Sequence, residues 1–398
     1  MLGLLLAKRS VDVLLLEGHE DFEREFRGEL LHPSTSHLLD ELGLLEYVLD
    51  QPHSLLEVGK VRLDGREVGE LAFERISPRY PYAIWMPQPI FLSALCRLAG
   101  GLPSFRCWMG AKVTGVLEEK GTVIGVRGLR HGREPFEILA DVVVGADGRY
   151  SSLARLGGFE AEYEHHDFDV IWFTSERPPG WSSTFYVSVG SVRGLMLPKY
   201  PHHIQAGLYV RIGEWKRWRE EGVAAVAERV RRFDPVLGEF ADSLSDFKPF
   251  VPLEGTIRLL REWARDGLLL IGDAAHTMSP AGAIGVNVAL ADAAAAAQVL
   301  YPHCGRGPIG RDVLREVQRL RADDVRTLHR FQLGAQGVLL GQAIRSPLVE
   351  RAVQRAIPLI LRSPLMTRVQ RRLFFGASLP PLDPAFSFRE SAAVAAGR

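Results

Sequence analysis

Along the chain, apolar and polar positions fall into three blocks in which buried-strand runs alternate with helical stripes. Between the blocks lie stretches of period-two alternation. The first block, 1–45, opens on the apolar run Leu2 to Ala7, closed by Lys8 and Arg9. A buried strand from Val11 to Leu16 follows and ends in Glu17. A helix tail leading into such a strand is the second half of a βαβ unit, so the chain reads as starting inside a fold. Pro33-Ser34-Thr35 then starts a helix over 36–45 on a stripe of Leu38, Leu39, Leu42 and Leu45. The second block, 86–155, predicts a helix over 89–98 after Gln88, then a β-meander over 105–145 ending in the strand 141–146. The third, 256–300, joins a buried strand at 268–271 to an alanine-rich helix over 285–300.

Short strands are predicted over 53–85, with turns at Asp64-Gly65 and Pro78. Residues 168–213 alternate and are rich in Trp, Phe and Tyr; 214–233 reads as one charged amphipathic helix, and 311–375 as mostly helical. The pattern predicts an α/β protein. Its Rossmann-like nucleotide-binding domain is assembled from 1–52, 86–160 and 255–305, with a β-sheet substrate domain inserted as 53–85 and 161–254. Helices over 306–378 follow, then a Pro-rich, polar tail, 379–398, read as disordered.

Composition narrows the function. The 398 residues carry 48 Lys plus Arg and 48 Asp plus Glu, and a zero balance gives no reason to expect nucleic acid as partner. Cys96, Cys107 and Cys304 form no motif, which argues against a disulfide framework or a cysteine zinc site and favours the cytoplasm. His165-His166 and His202-His203 lack further ligands at metal spacing, so no metal is expected. Arg outnumbers Lys 41 to 7, a bias of GC-rich bacterial codons. No apolar run reaches the roughly 18–20 residues of a membrane span.

Three motifs carry chemistry. Glu17, at a strand tip, is placed to accept from ribose hydroxyls, although a solvated strand-end acid is equally common. Asp147-Gly148-Arg149-Tyr150-Ser151 turns a buried strand into a helix: Gly148 supplies positive φ, Ser151 caps, and the helix start favours an anion such as pyrophosphate. The plainer reading is an ordinary strand–turn–helix corner. The strongest is Gly272-Asp273-Ala274-Ala275-His276, followed by Pro280, Gly282, Gly285 and Asn287. It allows close backbone approach to a ligand, an acid for sugar-alcohol hydroxyls, and free amides at a helix start.

In the order Glu17, Asp147-Gly148, Gly272-Asp273, the chain resembles the FAD-dependent monooxygenases of the para-hydroxybenzoate hydroxylase type, from residue 1 to about 330. The resemblance implies that Asp273 holds the ribityl chain and that Asp147 and Gly148 touch both FAD and the path of the nicotinamide cofactor. It implies further that Arg27 and Gln88 contact the flavin side, and that Val113 reaches the adenine through its backbone. Ala283 and Ile284 stand where the family loop has a second Gly and a Gln, and Arg155 falls one place late. The family's opening strand and Gly-x-Gly-x-x-Gly loop have no counterpart in the chain. The expectation is therefore a reading frame that starts late.

The activity so implied is hydroxylation of an aromatic or otherwise electron-rich, lipophilic small molecule through a C4a-hydroperoxyflavin, with NADPH or NADH and O2. The alternatives are an FAD-dependent reductase of isoprenoid double bonds, or an inactive truncated remnant. Substrate is expected between the flavin and the inserted sheet. Trp172, Phe173, Phe185, Tyr186 and Met196 are candidate lining residues, each also an ordinary core residue. Residues 341–375 hold seven Arg and one Glu among apolar residues. They read first as a packed helical layer with an arginine-rich outer face, and second as a peripheral contact with an anionic membrane.

Overall fold

The computed structural model describes residues 1–23, 30–63, 65–165, 168–181, 183–189, 191–339, 356, 359, 363–375 and 381–389. Arg27, and 340–362 apart from two positions, lie outside the described residues, as does the end of the tail, 390–398.

The first, second and third sequence blocks come together on two parallel strand pairs. Strand β1 (Val13–Leu16) pairs with β2 (Phe105–Trp108), and β3 (Val143–Gly145) pairs with β4 (Leu268–Leu270). Among the described residues β1 bonds only β2 and β3 bonds only β4, so one edge of each has no strand beside it. Val13 and Val144 nevertheless pack against one apolar cluster with Leu6, Leu269 and Ala296. Helix α1 (Leu2–Lys8) buries Leu4, Leu5 and Leu6 against the helix Gln88–Gly100 and against α4 (Gly285–Leu300). Helix α2 (Pro33–Glu41) starts with Pro at its first position, where no intrahelical N–H is needed, and packs on α4 as well.

The inserted half is one seven-stranded sheet. The hairpin Val58–Leu63 and Arg66–Ala72 joins it by a parallel pairing of Val58 with Thr184, so chain segments a hundred residues apart share one sheet. Period-two alternation divides its side chains between two faces. Ile171, Phe173, Met196, Ile204, Ala206, Leu208 and Val210 face helices that bury Trp218, Val226, Val230 and Phe233. Val170, Trp172, Leu195, Leu197 and Tyr209 face the other way, onto Trp85, Phe73 and Leu56.

Two sequence expectations are corrected. The single helix over 214–233 is two, Glu214–Glu221 and Val223–Phe233, because Gly222 takes φ +98°, ψ 167° and breaks the hydrogen-bond ladder. The tail is not disordered over 381–389. Phe386 is buried against Tyr301, Asp383 pairs with Arg9, and Phe388 donates its N–H to Leu42. An aromatic anchor there outweighs the Pro-rich, polar composition.

Helix α5 (Arg311–Leu339) runs along α4. Helix α6 (Pro364–Phe375), the described part of the arginine-rich stretch, packs on α2 and on Phe73–Ile76, with Arg368, Arg371 and Arg372 lining an open cleft beside Arg79. No described helix is long and apolar enough to cross a membrane.

Candidate active site

The Gly272–Asn287 segment leaves β4 through a single 3-10 turn, Gly272–Ala274. Gly272 has φ +58°, and a Cβ there would sit 3.0 Å from that of Ala289, so the turn and the close approach of α4 both require glycine. Its neighbours are buried while Asp273 stays half-exposed, with Oδ1 facing Gly285. Further on, Gly282 (φ +80°) and Ala283 (φ +50°) turn the chain into α4. That helix has no side-chain cap and no acid in its first turn. The Asn287 and Val288 N–H groups bond the Ile284 carbonyl, and the helix start ahead of them presents the positive end of its dipole to a ligand.

Asn287 does not face such a ligand. Its Oδ1 accepts from the His32 N–H and from Thr35 Oγ1, both at 2.7 Å, and its Nδ2 donates to the carbonyls of Leu30 (2.9 Å) and Ala283 (3.0 Å). All four hydrogen-bonding positions of the amide are spent inside the protein. The side chain ties the start of α2 to the Pro280–Gly285 loop. His32 is 1% exposed, and burial drives its pKa down to about 4 against the effect of the Gly282 backbone, so the ring is neutral at working pH.

Beneath the turn lies a buried polar network that sequence reasoning missed. Asp292, on the second turn of α4, accepts from the Gly272 N–H (3.0 Å) and contacts His276 Nε2 (2.6 Å) through Oδ2. Its Oδ1 accepts from Arg321 Nε at 2.9 Å, and Arg321 reaches Asp324 at 2.8 Å. Burial pushes the Asp292 carboxyl upward, but His276 and Arg321 outweigh it and hold the pKa at about 2. A buried carboxylate survives only with such compensation. The signal was an Asp inside an Ala-rich helix, a position where only a partnered acid belongs.

The Asp147 corner is arranged differently. Gly148 turns at φ +80° as expected, and Ser151 Oγ accepts from the Ala154 N–H at 2.9 Å, capping α3 (Ser152–Leu156). Asp147 Oδ2 accepts from the N–H groups of Ser152 (2.7 Å) and Leu153 (3.1 Å), and Oδ1 accepts from Ser151 Oγ (2.5 Å). The carboxylate thus occupies the helix start that the sequence reading offered to pyrophosphate.

These features have counterparts in known proteins. The FAD binding domain family matches residues 1–325 of the chain. The chain belongs to the flavin-dependent aromatic hydroxylases. It is 33% identical over 377 residues to the 6-methylpretetramide 4-monooxygenase of Streptomyces rimosus, covering 94% of this chain and 89% of that one. It is 25% identical to the protoasukamycin 4-monooxygenase of Streptomyces nodosus subsp. asukaensis, covering 86% of each. Its fold matches the crystal structure of p-nitrophenol 4-monooxygenase from Pseudomonas putida with a TM-score of 0.77 at 18% identity, over 98% of this chain and 95% of the other.

The protein is therefore an FAD-dependent monooxygenase, and the open corner fits the cofactor: a half-exposed acid beside an uncapped helix start, with glycine where a side chain would intrude. Glu17 ends β1, exchanging backbone bonds with Trp108 and Ala111, and its Oε1 accepts from the His19 N–H at 2.9 Å. Val113, on the adjoining strand Ala111–Glu119, packs with Leu16 on the same apolar cluster as Ile284 and Val288. Gln88 is the first residue of its helix, just after Met86, which packs in one cluster with Leu31 and Leu290.

Of the substrate candidates, Trp172 and Phe185 share the sheet face directed at Trp85 and Phe73. Met196, 1% exposed, lies on the opposite face with Phe173 and Tyr186, packed against the helices. One residue of register along a strand decides the face, so these three lie on the side of the sheet away from Trp172 and Phe185.

Proposed function

We propose that this FAD-dependent monooxygenase hydroxylates a polycyclic or otherwise extended aromatic small molecule, with NADPH or NADH as hydride donor and O2 as oxygen source. The observation that carries the cofactor end of this reading is the open corner at Gly272–Gly285, with Asp273 beside the uncapped start of α4. The substrate class is supported by the 33% identity to a relative named for a 6-methylpretetramide.

Bound and reduced, FAD would activate O2 and supply one oxygen atom to the substrate. In this reading Asp273 accepts from the ribityl hydroxyls, and Glu17 from the adenosine ribose. The amides of Gly285 and Val286 face the negative charge of the reduced ring system. Asn287 holds the start of α2, with its neutral ring at His32, against the same loop. Trp172 and Phe185, on the apolar sheet face, provide a wall for a flat substrate and keep out water that would divert oxygen into peroxide.

The test uses the purified protein reconstituted with FAD and a panel of aromatic polyketides and phenols. Substrate-dependent consumption of NAD(P)H and O2 in equal amounts, with one atom of ¹⁸O from ¹⁸O2 in the product, is expected. NAD(P)H consumption without O2 uptake would make the protein a reductase instead.

A further inference from the structure

One face of α5 carries buried polar side chains where an ordinary packing helix would carry only apolar ones. Arg321, His329 and Gln332 are buried, and Gln318 half-buried, on the inward face among Leu314, Val317, Val325 and Leu328. Each binds backbone or buried carboxylate in the segment leading through the flavin loop. Gln318 accepts from the Trp263 N–H (3.0 Å) and donates to the Arg261 carbonyl (2.9 Å). Arg321 donates to Asp292, which itself accepts from the Gly272 N–H. His329 Nε2 meets the Thr277 carbonyl at 2.9 Å, and its Nδ1 meets the Tyr163 hydroxyl. Gln332 brackets Ser279, donating to its carbonyl at 2.9 Å and accepting from its N–H at 3.1 Å. Arg321, His329 and Gln332 are 4%, 1% and 1% exposed.

We infer that Arg321, His329 and Gln332 are positioning residues for the flavin: α5 acts as a template that sets the path of Gly272–Ser279, and so places Asp273 and the approach to α4 for FAD. His329 and Gln332 bind main-chain atoms of the loop and Arg321 reaches it through Asp292, which explains why the loop between Gly272 and Pro280 can run without regular structure of its own beyond one 3-10 turn and the two-residue strand His276–Thr277. Main-chain groups buried without partners are costly, and α5 provides those partners at fixed helical spacing. These side chains reach the main chain at Thr277 and Ser279 and the carboxylate of Asp292, so they act on the cofactor through the loop. The inference rests on the FAD site and is independent of the substrate.

The experiment is FAD titration of the apoprotein, followed by flavin fluorescence, for His329→Leu, His329→Gln, Gln332→Leu and Asp273→Asn, singly and combined. Loss of one or two buried hydrogen bonds is expected to weaken FAD binding about tenfold in each leucine variant. His329→Gln, which keeps an N–H for Thr277, is expected to recover most of the loss. Because the template and Asp273 act as one unit, His329→Leu combined with Asp273→Asn is expected to lose clearly less than the product of the two single factors. Folded leucine variants that bind FAD as the parent does would overturn the inference. So would factors that simply multiply, since that result belongs to general destabilisation remote from the loop. If Gln332→Leu does not fold, the His329 pair carries the same test.

Discussion

Two corners of the nucleotide-binding half invite comparison, because they use the same letters. Gly145 to Ser152 and Leu270 to Gly285 each leave one of two hydrogen-bonded parallel strands, each turn through a glycine at positive φ, and each carry an aspartate at the turn. The Asp147 corner is closed: the carboxylate collects the amides of its own short helix. The Asp273 corner is open: its helix starts without a cap, and the job of binding the turn falls to Asp292, twenty residues on. The same Gly/Asp turn is thus built in two ways: at one corner the turn aspartate itself collects the amides of the following helix, and at the other the Gly272 N–H is bound by Asp292 from within the helix.

Acid should separate the corners most strongly. His32 and His329 flank the open one, and burial lowers each pKa to about 4 from an ordinary 6.5, with His276 adding to the effect at His329. Unfolded, both take up a proton near 6.5, so between about 6.5 and 4 the unfolded state binds more protons and stability falls as pH drops. The loss approaches roughly 3 kcal/mol per histidine at the acid end. Thermal melts and flavin release followed from pH 7 to pH 4 check this; a flat profile over that range would break the assignment.

Asp292→Ala comes next. It leaves the Arg321 Nε and the Gly272 N–H buried without their acceptor, with Asp324 the remaining carboxylate on Arg321, at a cost of about 3–5 kcal/mol. Denaturant unfolding should show it as a loss of midpoint larger than for any other single change in the network.

Asp273→Ala against Asp147→Ala is the direct contrast. The first should weaken FAD binding by about ten- to a hundredfold, equivalent to roughly 1.5–3 kcal/mol, with little change in the melting temperature of the apoprotein. The second should cost about 1 kcal/mol of stability as a lost helix cap, and far less affinity. Equal effects on FAD affinity would erase the distinction between the corners.

The smallest effect is a gain. Ala283 sits at φ +50°, a conformation strained for a residue with a Cβ. Ala283→Gly is expected to stabilise the protein by about 0.5–1 kcal/mol, net of the added chain entropy of glycine. A rise of a few degrees in melting temperature is the readout; a fall would mean that the loop backbone relaxes around the alanine.

Much of the site was legible from local chemistry. Gly272-Asp273 and the Pro280–Gly285 loop stand out because turns, close approaches and helix starts have residue requirements that hold wherever the segment is placed. Asn287 stands out in the sequence, but nothing local says that Leu30 and His32 lie beside it. At Asp147 the sequence leaves an anion site and an ordinary strand–turn–helix corner both open, because it shows the acid and the helix start but not that they satisfy one another.

What the amino-acid order determined by itself was most of the elements, the α/β class and the glycine-marked turns, each governed by interactions within a few residues. The tertiary structure alone decided which face of the inserted sheet Trp172 and Met196 occupy, and that Val58–Leu63 joins a strand more than a hundred residues away. It also decided that the polar stripe of α5 serves the Gly272 turn. The physical reason is common to all three: a buried polar group or a strand edge must find a partner, but which partner it finds depends on the packing of distant segments, and that packing is not written in any local pattern.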